Sequence, residues 1–247
     1  MFRHRSEPNR HGWGLAVYPD NSCQIIKEPI KAEDSKLSGF LTEYKPFKSK
    51  IFIGHVRYST HGSISHCNTH PFSRELHGRE YVFAHNGTIH DYQSLPVSRF
   101  HPIGETDSEW AFCHLLEQLC HRNITAWNEN HFKWLAGVLN NINNHGNFNC
   151  LFSDGEYLFC YHDTGGYNGL RFVHRKPPFQ IHVMLKDEDV QVDLSREKSQ
   201  DQHGYVIASK PLTDEDWDSF DAGELIVFRS GEMVYSNKRE AYTQPSV

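Results

Sequence analysis

Three short polar clusters hold the residues best suited to act together. In "GHVRYSTHG" (54–62) an apolar run stops at Arg57, followed by the hydroxyls of Tyr58, Ser59 and Thr60 and by His61. A guanidinium there can grip a carboxylate through two parallel hydrogen bonds, with neighbouring hydroxyls completing the grip. It can equally pair with an Asp or Glu of the fold itself. In "AHNG" (84–87) the Asn86 amide stands beside the Gly87 N–H. Two adjacent neutral donors suit a carbonyl oxygen that gains charge as its carbon becomes tetrahedral, although Asn-Gly is also a common turn dipeptide. In "GETDSE" (104–109) Asp107 falls in a first helical turn, where the helix dipole already favours a carboxylate by ~0.3–1 kcal/mol. It could also present that carboxylate to an ammonium group.

The elements that must position these clusters follow from the apolar pattern. Alternating or continuous apolar runs predict strands at 13–18, 22–27, 50–57, 81–86, 148–154, 157–162, 170–175, 205–209 and 224–228. Asp154-Gly155 and Ser230-Gly231 join two strand pairs as hairpins. Short turns between most strands imply antiparallel sheets. Helices are fewer. "TDSEWAFCHLLEQLCHR" opens with Thr106 and Glu109 at capping-box spacing and puts Phe112, Cys113, Leu116, Leu119 and Cys120 on one face. "NENHFKWLAGVLNNINNHG" does the same with Phe132, Leu135, Ala136, Leu139 and Ile142, stopping near Gly146. No repeat, linker or composition break marks a second domain, so one domain over 1–247 is expected, with the α+β pattern of packed sheets and helices outside.

Composition narrows the function. Lys plus Arg is 25 against 31 Asp plus Glu, a net charge of -6, so no basic field draws in nucleic acid. The basic start has no apolar segment after it, and no membrane-length apolar run occurs, so a cytoplasmic protein without a membrane partner is expected. Six cysteines without a C-x-x-C pair argue against a disulfide framework or a zinc ribbon. Seven of the 18 histidines fall between His55 and His90, but none makes an HExxH pair or a Cys/His zinc spacing. No metal and no cofactor are therefore expected, and a histidine-based metallohydrolase is kept as a third reading.

In order and spacing, GHVRYSTHG, NTHPFSREL, FAHNGTI and GETDSE, with HGWGLAVY near the start, resemble the glutaminase domain of the class II glutamine amidotransferases. HPFSREL, FNCLFSDGEYL and IASKPLT look most like the short stand-alone bacterial members, and the resemblance spans almost the whole chain. It implies an N-terminal nucleophile hydrolase fold, a four-layer α-β-β-α sandwich of two antiparallel sheets. It also implies hydrolysis of glutamine, or another γ-glutamyl amide, to the acid and ammonia through a cysteinyl thioester, with a separate ammonia-accepting enzyme as a possible partner. By the same resemblance Arg57 binds the α-carboxylate, with Thr60 and His61 assisting. Asp107 takes the α-ammonium, and Asn86 with Gly87 holds the oxyanion.

The family's attacking thiolate is a cysteine at the extreme N-terminus, whereas this sequence begins Met1-Phe2-Arg3 and reaches its first cysteine at Cys23. The expectation is an N-terminally incomplete form of a longer enzyme, lacking the strand that carries the nucleophile. Cys67, with His66 or His70 as base, is an internal substitute to weigh; Cys113, Cys120, Cys150 and Cys160 read as core residues. A degenerate member that binds a γ-glutamyl ligand without cleaving it is the rival of a different class. If a lid exists, the polar loop from Ser59 to Asn68 is the expected place.

Overall fold

A computed structural model describes residues 9–44, 48–185 and 191–239. In chain order its elements are β1 (Trp13–Val17), β2 (Gln24–Glu28), α1 (Lys36–Glu43), β3 (Phe52–Val56), β4 (Phe72–Leu76), β5 (Arg79–Ile89), α2 (Asp107–His121), α3 (Glu129–Asn143), β6 (Gly146–Ser153), β7 (Tyr157–Tyr161), β8 (Arg171–Arg175), β9 (Val183–Met184), β10 (Gln191–Val192), α4 (Leu194–Glu197), β11 (Gly204–Ala208), β12 (Asp218–Ser219), β13 (Leu225–Arg229) and β14 (Glu232–Ser236). Every strand pairing is antiparallel. Six strands form the central sheet, β14-β13-β7-β6-β5-β4, and two three-stranded sheets run β2-β1-β3 and β11-β8-β12. Among the described residues no helix is long and apolar enough to cross a membrane.

Side-chain alternation along β5 shows how the layers are held. Phe83 points to a core shared with α2 and α3, where its ring stacks on Phe112 at 5.1 Å between centroids. Its neighbours Val82 and Ala84 point the other way, onto Ala16 of β1 and Ile53 of β3. Further along the same sheet, Cys160, Ile226 and Phe228 pack against Phe172 of β8. The central sheet thus has helices on one face and both small sheets on the other, the α+β sandwich expected of an N-terminal nucleophile hydrolase. Each large apolar side chain buried this way contributes about 1.5–3 kcal/mol.

The α2 start is capped as its sequence predicts: the Thr106 hydroxyl accepts the Glu109 N–H at 3.1 Å. The reciprocal half differs, because the Glu109 carboxylate accepts the Gly104 N–H at 2.8 Å and pairs with Arg74 of β4. A second buried carboxylate, Glu117, ties the 98–100 segment to α2 by accepting the N–H groups of Ser98, Arg99 and Phe100. Burial alone would raise its pKa, but these hydrogen bonds outweigh burial and hold it at about 2.

The expected hairpins at Asp154-Gly155 and Ser230-Gly231 join β6 to β7 and β13 to β14. A third hairpin, at His77-Gly78, has both turn residues at positive φ, 54° and 75°, and joins β4 to β5. The strand expected to end at Asn86 runs on to Ile89, so Asn86-Gly87 is strand and not turn. The reason is backbone proximity to β6: a Cβ on Gly87 would lie 2.0 Å from the Asn147 carbonyl oxygen. Only glycine lets the ladder pass there.

Candidate active site

One cavity of about 480 Å³ opens where β3, β5, the α2 start and β11 meet. Arg57, Thr60, His61, Asn86, Gly87 and Asp107, brought from three separate stretches of the sequence, all line it. β3 and β11 are end strands of their sheets, and both contribute to its wall.

Arg57 leaves the end of β3 almost wholly buried, at 2% exposure. Its Nη2 donates to Ser59 Oγ at 3.0 Å and to the His61 carbonyl at 2.9 Å, while Nη1 reaches the Ser63 carbonyl at 3.3 Å and that of His11 at 3.4 Å. These acceptors are neutral, and no carboxylate pairs with Arg57 among the described residues. Burial pushes the guanidinium below its ordinary pKa, and the charge of Asp107 opposes that push. Ser59 is itself held by an N–H bond of 2.9 Å to His11 Nδ1, a contact the sequence gives no sign of.

Asp107 is 3% exposed in the first turn of α2, and its Oδ2 accepts the Ile89 N–H at 2.7 Å. That bond fixes the helix start to the end of the strand that carries Asn86 and Gly87. Thr60 and His61 lie on the exposed rim, where Thr88 Oγ1 donates to Thr60 Oγ1 at 3.2 Å. The loop that holds them is tied to the α2 start through Asn68, whose amide takes the Glu105 N–H at 2.8 Å and donates to the Ser63 carbonyl at 3.0 Å.

Behind Arg57 stand the buried His70 and His85 and the half-buried His55; the sequence offers a role only for His70, as a base for Cys67. The His55 and His70 rings lie 4.2 Å apart, and neither ring nitrogen of His70 has a hydrogen-bond partner among the described residues. Burial pushes His55 down to about 4, His70 well below its usual value, and His85 down as well. At neutral pH these rings carry no charge, so the wall beside Arg57 is polar but neutral. His85 Nε2 meets the Asn147 carbonyl at 3.0 Å, which only accepts, so Nε2 carries the proton and Nδ1 accepts from Ser108 Oγ at 2.9 Å.

The cysteines do not supply a thiolate beside Asn86 and Gly87. Cys150 is among the cavity-lining residues, one step along β6 from the strand partner of Asn86, but it clusters with Phe148 and Phe152 in the helix-facing core, and burial raises its thiol well above the ordinary value; Cys160 is raised the same way. Cys23 and Cys113 are both pushed up to about 12 by burial. Cys67 sits outside the cavity lining, its Sγ 3.3 Å from Ser65 Oγ. Among the described residues no group of three His, Cys, Asp or Glu side chains could hold a metal ion.

Comparison with known proteins adds an independent line. The family model for class-II glutamine amidotransferases matches residues 2–246. An uncharacterized protein of Methanocaldococcus jannaschii is 50% identical over 238 residues, which cover 96% of this chain and 66% of that protein. The Escherichia coli relative YafJ is 37% identical over 92% of this chain and 88% of its own length. The crystal structure of a predicted glutamine amidotransferase from Pseudomonas aeruginosa superposes with a TM-score of 0.72 at 33% identity, covering 92% of this chain and 88% of that one. The glutamine phosphoribosylpyrophosphate amidotransferase of Bacillus subtilis shares the fold at a TM-score of 0.61 and 18% identity, with 99% of this chain aligned to 46% of that one. With a family match over nearly its whole length and a relative 37% identical along most of both chains, the chain belongs to the class-II glutamine amidotransferases.

Proposed function

We propose that the cavity binds the amino-acid head of glutamine, or of another γ-glutamyl amide, and presents its side-chain amide for hydrolysis to the γ-acid and ammonia or an amine. The observation that carries this reading is a buried guanidinium without a carboxylate partner, in the same cavity as a buried carboxylate and an Asn-Gly donor pair. Burying an arginine is costly unless something compensates it, and the α-carboxylate of a zwitterion would do so. Arg57 takes that carboxylate with Thr60 and His61 at its rim, and Asp107 takes the α-ammonium. The Asn86 amide and the Gly87 N–H receive the side-chain carbonyl oxygen. Thiolate attack forms a C–S bond and an oxyanion, collapse breaks the C–N bond as the leaving nitrogen takes a proton, and water then cleaves the thioester.

The thiolate itself comes, in this reading, from a strand that enters between β3 and β11 and brings a cysteine to Asn86. Two end strands facing one cavity suit such an addition, since strands pair at ~4.8 Å spacing. Because Cys150 clusters with the helix-facing core and Cys67 stands outside the cavity lining, a second reading is a γ-glutamyl binder without turnover. Calorimetry and ammonia release separate the two. L-Glutamine binding together with ammonia release, whether by the chain alone or once a cysteine-bearing strand is supplied, fits the enzyme; binding without release under both conditions fits the binder. Arg57→Lys should weaken glutamine binding at least about tenfold, because Lys cannot reproduce a bidentate fork. Unchanged affinity in that variant would remove the substrate assignment.

A further inference from the structure

An asparagine helps an oxyanion with only one end of its amide. Nδ2 donates, whereas Oδ1 in the same place would repel the developing charge. Which end of Asn86 faces the cavity therefore has to be fixed by something else. Resting on the substrate reading above, we propose that Asn168 is the positioning residue that sets this orientation. Asn168 Nδ2 donates to Asn86 Oδ1 at 3.2 Å, the one side-chain hydrogen bond to the Asn86 amide among the described residues. With Oδ1 engaged, Nδ2 is the end left to the cavity, which both residues line.

The segment carrying Asn168 is built to hold that contact. It links β7 to β8 and is organised by the buried Asp163 carboxylate. Asp163 Oδ1 accepts the N–H groups of Gly165 and Tyr167 at 2.8 and 3.1 Å, and Oδ2 accepts Phe148 N–H and Asn143 Nδ2 at 2.8 and 2.7 Å. Asn149, paired across the ladder with Asn86, closes the circuit. Its Oδ1 accepts the Asp163 N–H at 3.0 Å, and its Nδ2 donates to the Tyr167 carbonyl at 2.8 Å. The strand partner of Asn86 thus grips both ends of the segment that delivers Asn168. Asn168 itself has φ of 55°, a region open to Asn and Gly and strained for most other residues.

Two substitutions and two ligands test the assignment by calorimetry. L-Norvaline shares the amino-acid head of L-glutamine but lacks a side-chain carbonyl, so it reports the Arg57 and Asp107 grip alone. Asn168→Gly keeps the positive φ and deletes the donor; it should weaken L-glutamine about tenfold and leave L-norvaline within about twofold. Asn168→Asp is isosteric but can only accept, so it turns Asn86 Nδ2 toward itself and Oδ1 toward the ligand. It should weaken L-glutamine more than Asn168→Gly does, again sparing L-norvaline. Equal losses for both ligands in both variants, or unchanged glutamine affinity, would overturn the positioning role while leaving the substrate reading intact. Wild-type protein that binds neither ligand would refute the substrate reading, and the positioning role would fall with it.

Discussion

Arg57 is unusual in what surrounds it. A buried guanidinium in a fold normally answers a carboxylate, and here its acceptors are carbonyl oxygens and one serine hydroxyl. In the proposed function, charge neutralisation is left to the substrate, and the neutral histidines behind Arg57 do not compete for it. Gly87 is the second residue with a sharp physical requirement. Gly87→Ala should drive β5 and β6 apart at the donor pair, since the new Cβ would lie 2.0 Å from a carbonyl oxygen. A loss of about 1–3 kcal/mol is expected by chemical denaturation, the usual range for overpacking, together with weaker L-glutamine binding; wild-type stability would contradict this account of the strand. At this scale Arg57, Asn86 and Asp107 were legible because their residue types carry the chemistry and their order matches a family. Asn168 was not, because a polar loop residue gives no sequence sign of which side chain it meets from the far side of a sheet.

The elements most legible in the sequence were those with both periodicity and a boundary signal. α2 has its Thr106 cap and buried stripe, α3 its Asn128 cap, and β6, β7 and β13 their apolar runs. β4 went unread because it is an end strand of the central sheet, where alternate residues face water and the run looks polar, and β14, the other end strand, was implied only by its Ser230-Gly231 hairpin. α1 went unread for a related reason: Leu37 and Phe40 on it stay largely exposed, so its apolar pattern reflects no core. Carboxylates that bind backbone were equally silent, and Glu117 gives a direct test. Its pKa is depressed from the ordinary 4.5 to about 2, so its contribution is complete above pH 4.5 and is lost as pH falls toward 2. That shift corresponds to roughly 3 kcal/mol. Glu117→Gln keeps one acceptor oxygen and should cost about 1–3 kcal/mol at pH 7, with little further loss on acidification below pH 4.5 from this position. A variant as stable as the parent at pH 7 would show that the 98–100 segment is held by other contacts.

For the molecule as a whole, the neutral histidines behind Arg57 set the response to acid. His55, His70 and His85 are all held below the ordinary 6.5, with His55 at about 4. As pH falls below 6.5 the unfolded chain takes up protons that the native state refuses, so unfolding is favoured. Each ring contributes a slope of about 1.4 kcal/mol per pH unit while that difference lasts. Stability measured by denaturant titration should therefore fall steeply between pH 6.5 and 4, with the Glu117 contribution failing only below that window. A flat profile from pH 7 to 5 would mean that these rings are protonated in the fold. The layered α+β architecture was readable as a class, because short turns between apolar runs leave few alternatives to antiparallel sheets. The convergence of distant clusters on one cavity was not readable from periodicity, since nothing local says which strand ends meet; it followed only from the family resemblance. The most direct measurement of that convergence is a crystal structure with L-glutamine bound. The account predicts the α-carboxylate on the Arg57 guanidinium, the α-ammonium on Asp107, and the side-chain carbonyl oxygen within about 3 Å of Asn86 Nδ2. Glutamine bound outside this cavity, or with its head turned away from Arg57, would contradict it.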